Sequence, residues 1–168
     1  LYIGARLADP NPLAVQCAAS LRDGAVMADD SLAVVLDPGD DGAGIIELAV
    51  NATGTEYDAV GGDSSKTVTW TSATHLDEQG WLVEIAYRFG AGGPPPAGQS
   101  WGFDLRRNAP RVAERSSMAG EAARGTMLFG RPALRCAVQP IDSPWYGQNA
   151  VPVRLTNLAA SPQTVKVN

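Results

Sequence analysis

The amino-acid sequence predicts an all-β protein built as an antiparallel β-sandwich. Short stretches rich in Val, Ile, Leu and aromatic residues alternate with polar residues at period two, and clusters of Gly, Pro and Asp separate them. Only residues 11–24 have a helix-like composition. Many short strands joined by Gly/Pro turns make a sandwich or barrel, and strands with one polar face favour antiparallel pairing.

Residues 1–9 read as the first strand, with Leu1, Ile3, Ala5 and Leu7 on one face and Tyr2, Gly4, Arg6 and Ala8 on the other. A helix follows over 11–24, starting at Asn11 or Pro12 and stopping at Gly24. Residues 31–37 place Leu32, Val34 and Leu36 on one face. Residues 45–51 place Ile46, Leu48 and Val50 opposite Glu47, Ala49 and Asn51. A strand over 67–73 carries Val68 and Trp70. Over 81–89, Trp81, Val83, Ile85, Tyr87 and Phe89 keep strict period two, and 101–107 repeats it with Trp101, Phe103 and Leu105. Residues 132–139 close a first domain over 1–138. Residues 139–149 break the rhythm as a linker. Residues 150–168 then resume strand, turn, strand, and "VRLTNLAASPQTV" resembles the opening hairpin of an immunoglobulin-like module. Such a pair of strands does not stand alone. The chain begins and ends inside strand-like stretches, which is what a piece of a longer protein would do.

Apolar residues make up 45% of the 168 and charged residues 18%, the balance of a globular chain with a real core. The net charge of −5, with no basic cluster beyond Arg106-Arg107, argues against nucleic acid as a partner. No apolar run reaches the roughly 20 residues of a spanning helix, so membrane insertion is not expected. Cys17 and Cys136 are too few for a disulfide scaffold or a zinc site. They either pair in an oxidising compartment or stay two buried thiols.

Five aspartates surround the strand at 31–37: Asp29 and Asp30 before it, Asp37, Asp40 and Asp41 after it. An EF-hand loop starting at Asp37 would need Glu at its twelfth position, which is Leu48. Asp37, Asp40 and Asp41 are left as candidates for a looser calcium site, against the simpler reading of a solvated turn at Pro38-Gly39. Glu47 and Glu84 are candidates for the paired carboxylates of glycoside hydrolysis, against strand-face charges paired with Arg106, Arg107 or Arg111. His75, the single histidine, lacks a G-x-S-x-G partner motif and reads as a surface residue. With no phosphate loop, dinucleotide fingerprint or His/Cys metal cluster, catalysis by this chain alone is not expected. Trp70, Trp81 and Trp101 read as core, and Trp145 as a docking residue in the linker.

The ordered series "LYIGARLADP", "DDSLAVVLD", "IIELAVNATGTEYD", "GWLVEIAYRF", "QSWGFDLRRNAPR" and "MLFG" resembles the family 9 carbohydrate-binding modules and the wider group of dopamine-β-monooxygenase N-terminal-like sandwiches. The resemblance covers about residues 1–138 and implies that the family's first strands would precede Leu1. It implies a non-catalytic sandwich attached to a larger secreted or cell-surface protein, bacterial in origin, needing no cofactor beyond a structural calcium. Its partners would be an oligo- or polysaccharide and the adjacent domains of its own chain. In sugar-binding members two tryptophans sandwich a terminal sugar. The resemblance carries those positions onto Met27, three residues before Asp30, and onto Met118. It carries two polar sugar ligands onto Ala33 and Ala49. A thioether packs softly but offers no flat π surface, and alanine makes no hydrogen bond to a hydroxyl. The expected ligand-binding set is Met27, Glu47, Asn51, Arg106 and Met118. The alternatives are a structural or docking sandwich that has lost sugar binding, and a non-catalytic piece of a multidomain glycoside hydrolase.

Overall fold

A computed structural model describes residues 1–120, 124–130, 134–138 and 153–157, the last two stretches by backbone alone. The chain divides into two compact units, Leu1–Leu128 and Phe129–Asn168.

Among its described residues the first unit holds nine strands in two antiparallel sheets: β1 (Tyr2–Ala8), β2 (Ser31–Asp37), β3 (Ile46–Asn51), β4 (Glu56–Val60), β5 (Trp70–Asp77), β6 (Gly80–Tyr87), β7 (Ser100–Ala109), β8 (Glu114–Ser117) and β9 (Gly125–Leu128). The small sheet runs β1-β6-β5. The large one runs β4-β3-β2-β7-β8, with β9 pairing the start of β7. The fold is the all-β antiparallel sandwich that the alternation predicts.

Register decides which side chains meet. Leu32, Val34 and Leu36 of β2 lie opposite Val50, Leu48 and Ile46 of β3, and Val34 lies opposite Leu105 of β7. With Trp81, Val83 and Ile85 of β6, the residues named from β2 and β3 supply the buried apolar core, each worth about 1.5–3 kcal/mol for side chains of this size. Trp70, Trp81 and Trp101 are buried as expected, and His75 is exposed. Trp101 meets Phe89 edge-on at 5.8 Å between ring centres. Trp145 lies outside the described residues.

The structure departs from the sequence reading in several places. Residues 11–24 are not a helix; only Pro12–Ala14 form a single 3-10 turn. Strand β5 begins three residues later than expected, because Trp70, not Thr67, pairs with the end of β6. Strand β2 is buried on both faces, so alternation marked its core side without showing that its other side is covered too. Strands β4, β8 and β9 were not expected at all.

The second unit contains β10 (Leu134–Val138) and β11 (Val153–Asn157), paired antiparallel with Cys136 opposite Leu155. The strand expected to close the first domain thus pairs with the strand expected to open the second. The proposed linker at 139–149 lies outside the described residues, as does the Cys136 side chain, and with it the Cys17–Cys136 pairing. Cys17 itself is partly buried, and burial pushes its thiol pKa up.

Candidate functional site

Inward-facing residues of the large sheet fill the core, so by strand alternation Ser31, Ala33, Glu47, Ala49, Asp104 and Arg106 face outward. Part of that outer face is covered. The segment leading into β2 crosses it, and Val26, fully buried, packs on Ala33 and Ala49, with Met27, Ala19 and Tyr57 around them. The rest is open and forms a cleft of ≈ 440 Å³. Ser31 and Ala33 of β2 lie at its floor, Glu47 of β3 on one side, and Arg106 and Asn108 of β7 on the other. Arg115 to Ser117 of β8 form the wall and Met27 the rim.

The segment that supplies Met27 is held by carboxylates. Asp29, 3% exposed, accepts the backbone N–H groups of Ala18 (2.9 Å) and Ala19 (3.0 Å) and the Asn51 amide (2.9 Å). Asp30 accepts the Gln16 N–H at 2.8 Å and the Arg111 Nε at 3.3 Å. Arg111 also bonds Asp9, which Arg107 reaches at 3.3 Å. These bonds replace the helical ladder that residues 11–24 would otherwise form. Asn108 Nδ2 then donates to the Met27 carbonyl at 2.7 Å, fixing the rim of the cleft.

Beneath Arg106 lies Asp104, fully buried. Burial alone would push its carboxyl pKa up. Hydrogen bonds from Arg106 Nε (2.8 Å), Ser117 Oγ (2.7 Å) and the Ala119 N–H (3.1 Å) outweigh burial and hold it below the usual carboxylate range. Tyr57, cross-strand from Ala49, has its phenol pKa raised by burial and then by the Glu47, Asp23 and Asp58 charges. Neither Glu47 nor Arg115 forms an ion pair among the described residues.

Of the residues singled out from sequence, Met27, Glu47 and Arg106 line one cleft. Asn51 lies beside it, opposite Ser31, yet is fully buried. Its Nδ2 donates to the Ala19 carbonyl and Asp29, and its Oδ1 accepts from Thr53 and Thr55. Asn51 is therefore a brace for the loop. Met118 is not among the residues lining the cleft: it follows β8, its N–H bonded to the Leu105 carbonyl, and lines an adjoining depression with Leu7 and Leu32 that shares Arg107, Ser116 and Ser117 with the cleft. The sequence marks Ser31 only as part of the strand entry and does not mark Asn108 or Arg115, because only the pairing of β2, β7 and β8 brings the three together.

The two glutamates do not form a catalytic pair. Glu47 faces out from the large sheet and Glu84 from the small one, opposite Gly4 and Ala73. Of the calcium candidates, Asp37 and Asp40 lie side by side against Gly102. Asp37, fully buried, accepts the Gly42 N–H at 2.8 Å and has Arg124 Nε at 3.0 Å, while Asp41 accepts the Ala43 N–H. Among the described residues no three His, Cys, Asp or Glu side chains gather as a cation site. Nor is any helix of the described residues long and apolar enough to cross a membrane.

No protein-family model and no curated protein matches the chain. Solved structures do. A family 9 carbohydrate-binding module from Caldicellulosiruptor kristjanssonii in complex with cellotriose superposes with a TM-score of 0.56 at 22% identity, over 84% of this chain and 74% of that one. A family 9 module from the same organism in complex with glucose gives 0.55 at 21% identity, over 77% and 71%. A candidate carbohydrate-binding protein of Bacteroides uniformis gives 0.51 at 13% identity, over 68% and 67%. The chain therefore has a β-sandwich fold like that of the family 9 carbohydrate-binding modules.

Proposed function

We propose that this chain is a non-catalytic carbohydrate-binding module, acting as an accessory to a larger secreted carbohydrate-active protein such as a bacterial glycoside hydrolase. What supports the reading most is the convergence of Met27, Glu47 and Arg106 in one polar cleft on the outward face of the large sheet. Carboxylate and guanidinium groups suit sugar hydroxyls, since each makes two parallel hydrogen bonds to neighbouring oxygens. The likeness to modules solved with cellotriose and glucose points the same way. The finer picture belongs to the same proposal: membership of the wider dopamine-β-monooxygenase-like sandwiches, an immunoglobulin-like module beginning with β11, and neighbouring domains of the same chain as partners.

A docking sandwich without a sugar is the second reading. It is favoured by Met27, whose carbonyl is tied to Asn108 and whose side chain packs on the Val26 cluster. Retention of the full chain on a glycan array separates the two. We expect binding that Glu47→Gln weakens by about tenfold, the equivalent of one charged hydrogen bond. If no glycan is retained, and Met27→Trp does not restore binding, the docking reading stands.

A further inference from the structure

Resting on that reading, the cleft also indicates which class of saccharide it takes. Neutral sugar rings are commonly gripped by aromatic faces, yet among the described residues no Trp, Tyr or Phe lines this cleft. Three arginines line it against one carboxylate, Glu47, although the chain as a whole carries −5. The arginines differ in what they already hold. Arg107 is engaged by the Ala8 carbonyl, Asp9 and Glu114. Arg106 gives its Nε to Asp104, and its side chain stays 38% exposed. Arg115 is exposed and has no ion-pair partner among the described residues.

The floor beside them is unfinished. Ser31 is 1% exposed, yet its Oγ, at the base of the cleft, has no hydrogen-bond partner among the described residues. A buried hydroxyl left unpaired costs free energy that a ligand oxygen would recover. Ser31 lies opposite Asn108, and Asn108 opposite Arg115, so the hydroxyl and the guanidinium share one row across β2, β7 and β8.

We propose that the cleft binds an acidic saccharide, with its carboxylate or sulfate held by Arg115 and the outer nitrogens of Arg106, a ring oxygen or hydroxyl on Ser31, and hydroxyls on Glu47. A planar guanidinium takes either anion through two parallel bonds, so both sources share this chemistry.

Calorimetric titration of the full chain tests it with an oligogalacturonide, a sulfated galactan oligosaccharide and neutral cellotriose. Each is run at about 20 mM and about 500 mM salt, between which the screening length falls severalfold. The expected result is binding of one acidic oligosaccharide at least tenfold tighter than cellotriose and weakened by salt. Arg115→Gln should lower that affinity by about three- to tenfold, as expected for a partly exposed charge pair. Arg6→Gln, on the outer face of the small sheet, should leave it unchanged. The oligogalacturonide arm assigns a carboxylate and the galactan arm a sulfate. Cellotriose bound as tightly as the acids, or acid binding indifferent to salt and to Arg115→Gln, overturns the proposal while leaving a sugar-binding module. Failure of all three to bind overturns this proposal, while the sugar-binding reading stands or falls on the glycan array.

Discussion

Asp29 and Asp30 determine the path of the chain into β2. Each is a buried carboxylate whose oxygens receive backbone N–H groups from the preceding loop, so removing one strands several donors together. Asp29→Ala leaves two backbone N–H groups and the Asn51 amide without their acceptor. It is expected to cost about 2–4 kcal/mol, read as a lower urea midpoint at unchanged slope. Asp104 makes a pH prediction. Its folded pKa lies below the unfolded value of about 3.9, so the stability it contributes is complete above that value and is lost as pH falls through the folded one. Asp104→Asn should therefore be less stable than the parent at pH 7, and the gap should narrow as urea midpoints are compared down toward about pH 3.

At the scale of elements, β2 and the β5–β6 hairpin carry the strongest constraints. Leu36 is fully buried between β3 and β7, and Leu36→Ala should cost about 2–5 kcal/mol in denaturant unfolding. Gly80 opens β6 at φ +134°, and a Cβ there would stand 2.0 Å from the Leu7 carbonyl oxygen. Gly80→Ala is expected to cost more than about 2 kcal/mol and to weaken β1–β6 pairing, seen as faster amide exchange at residues of both strands. The elements legible from sequence were those with a core side to betray them: β6, with four alternating buried residues, and β2 and β3. The edge strands escaped. β8 reads "ERSS" and β9 "GTML", too short and too polar for a periodic signal, and they exist because β7 offers them a partner. Residues 11–24 misled in the opposite direction. Their composition suits a helix, but their amides are claimed by carboxylates 10 to 14 residues further on. The site was readable in the same proportion. Met27 could be placed through a family resemblance and Glu47 and Arg106 as strand-face charges, whereas Ser31, Asn108 and Arg115 meet only through strand register.

For the whole molecule, the cleft and both sandwich sheets lie within Leu1–Leu128, and β10 and β11 pair with each other. Residues 1–128 alone are expected to keep the β-type circular dichroism of that unit, to unfold in one cooperative transition, and to retain any saccharide binding of the full chain. On this layout the saccharide recognition proposed above belongs to the outward face of the large sheet. Amide chemical shifts followed by NMR during titration with the best-retained glycan test it most directly. Shifts are expected to concentrate at Met27, Ser31, Ala33, Glu47, Arg106 and Arg115. Shifts concentrated instead at Gly4, Ala73 and Glu84 on the small sheet, or no shifts with any glycan, would contradict it.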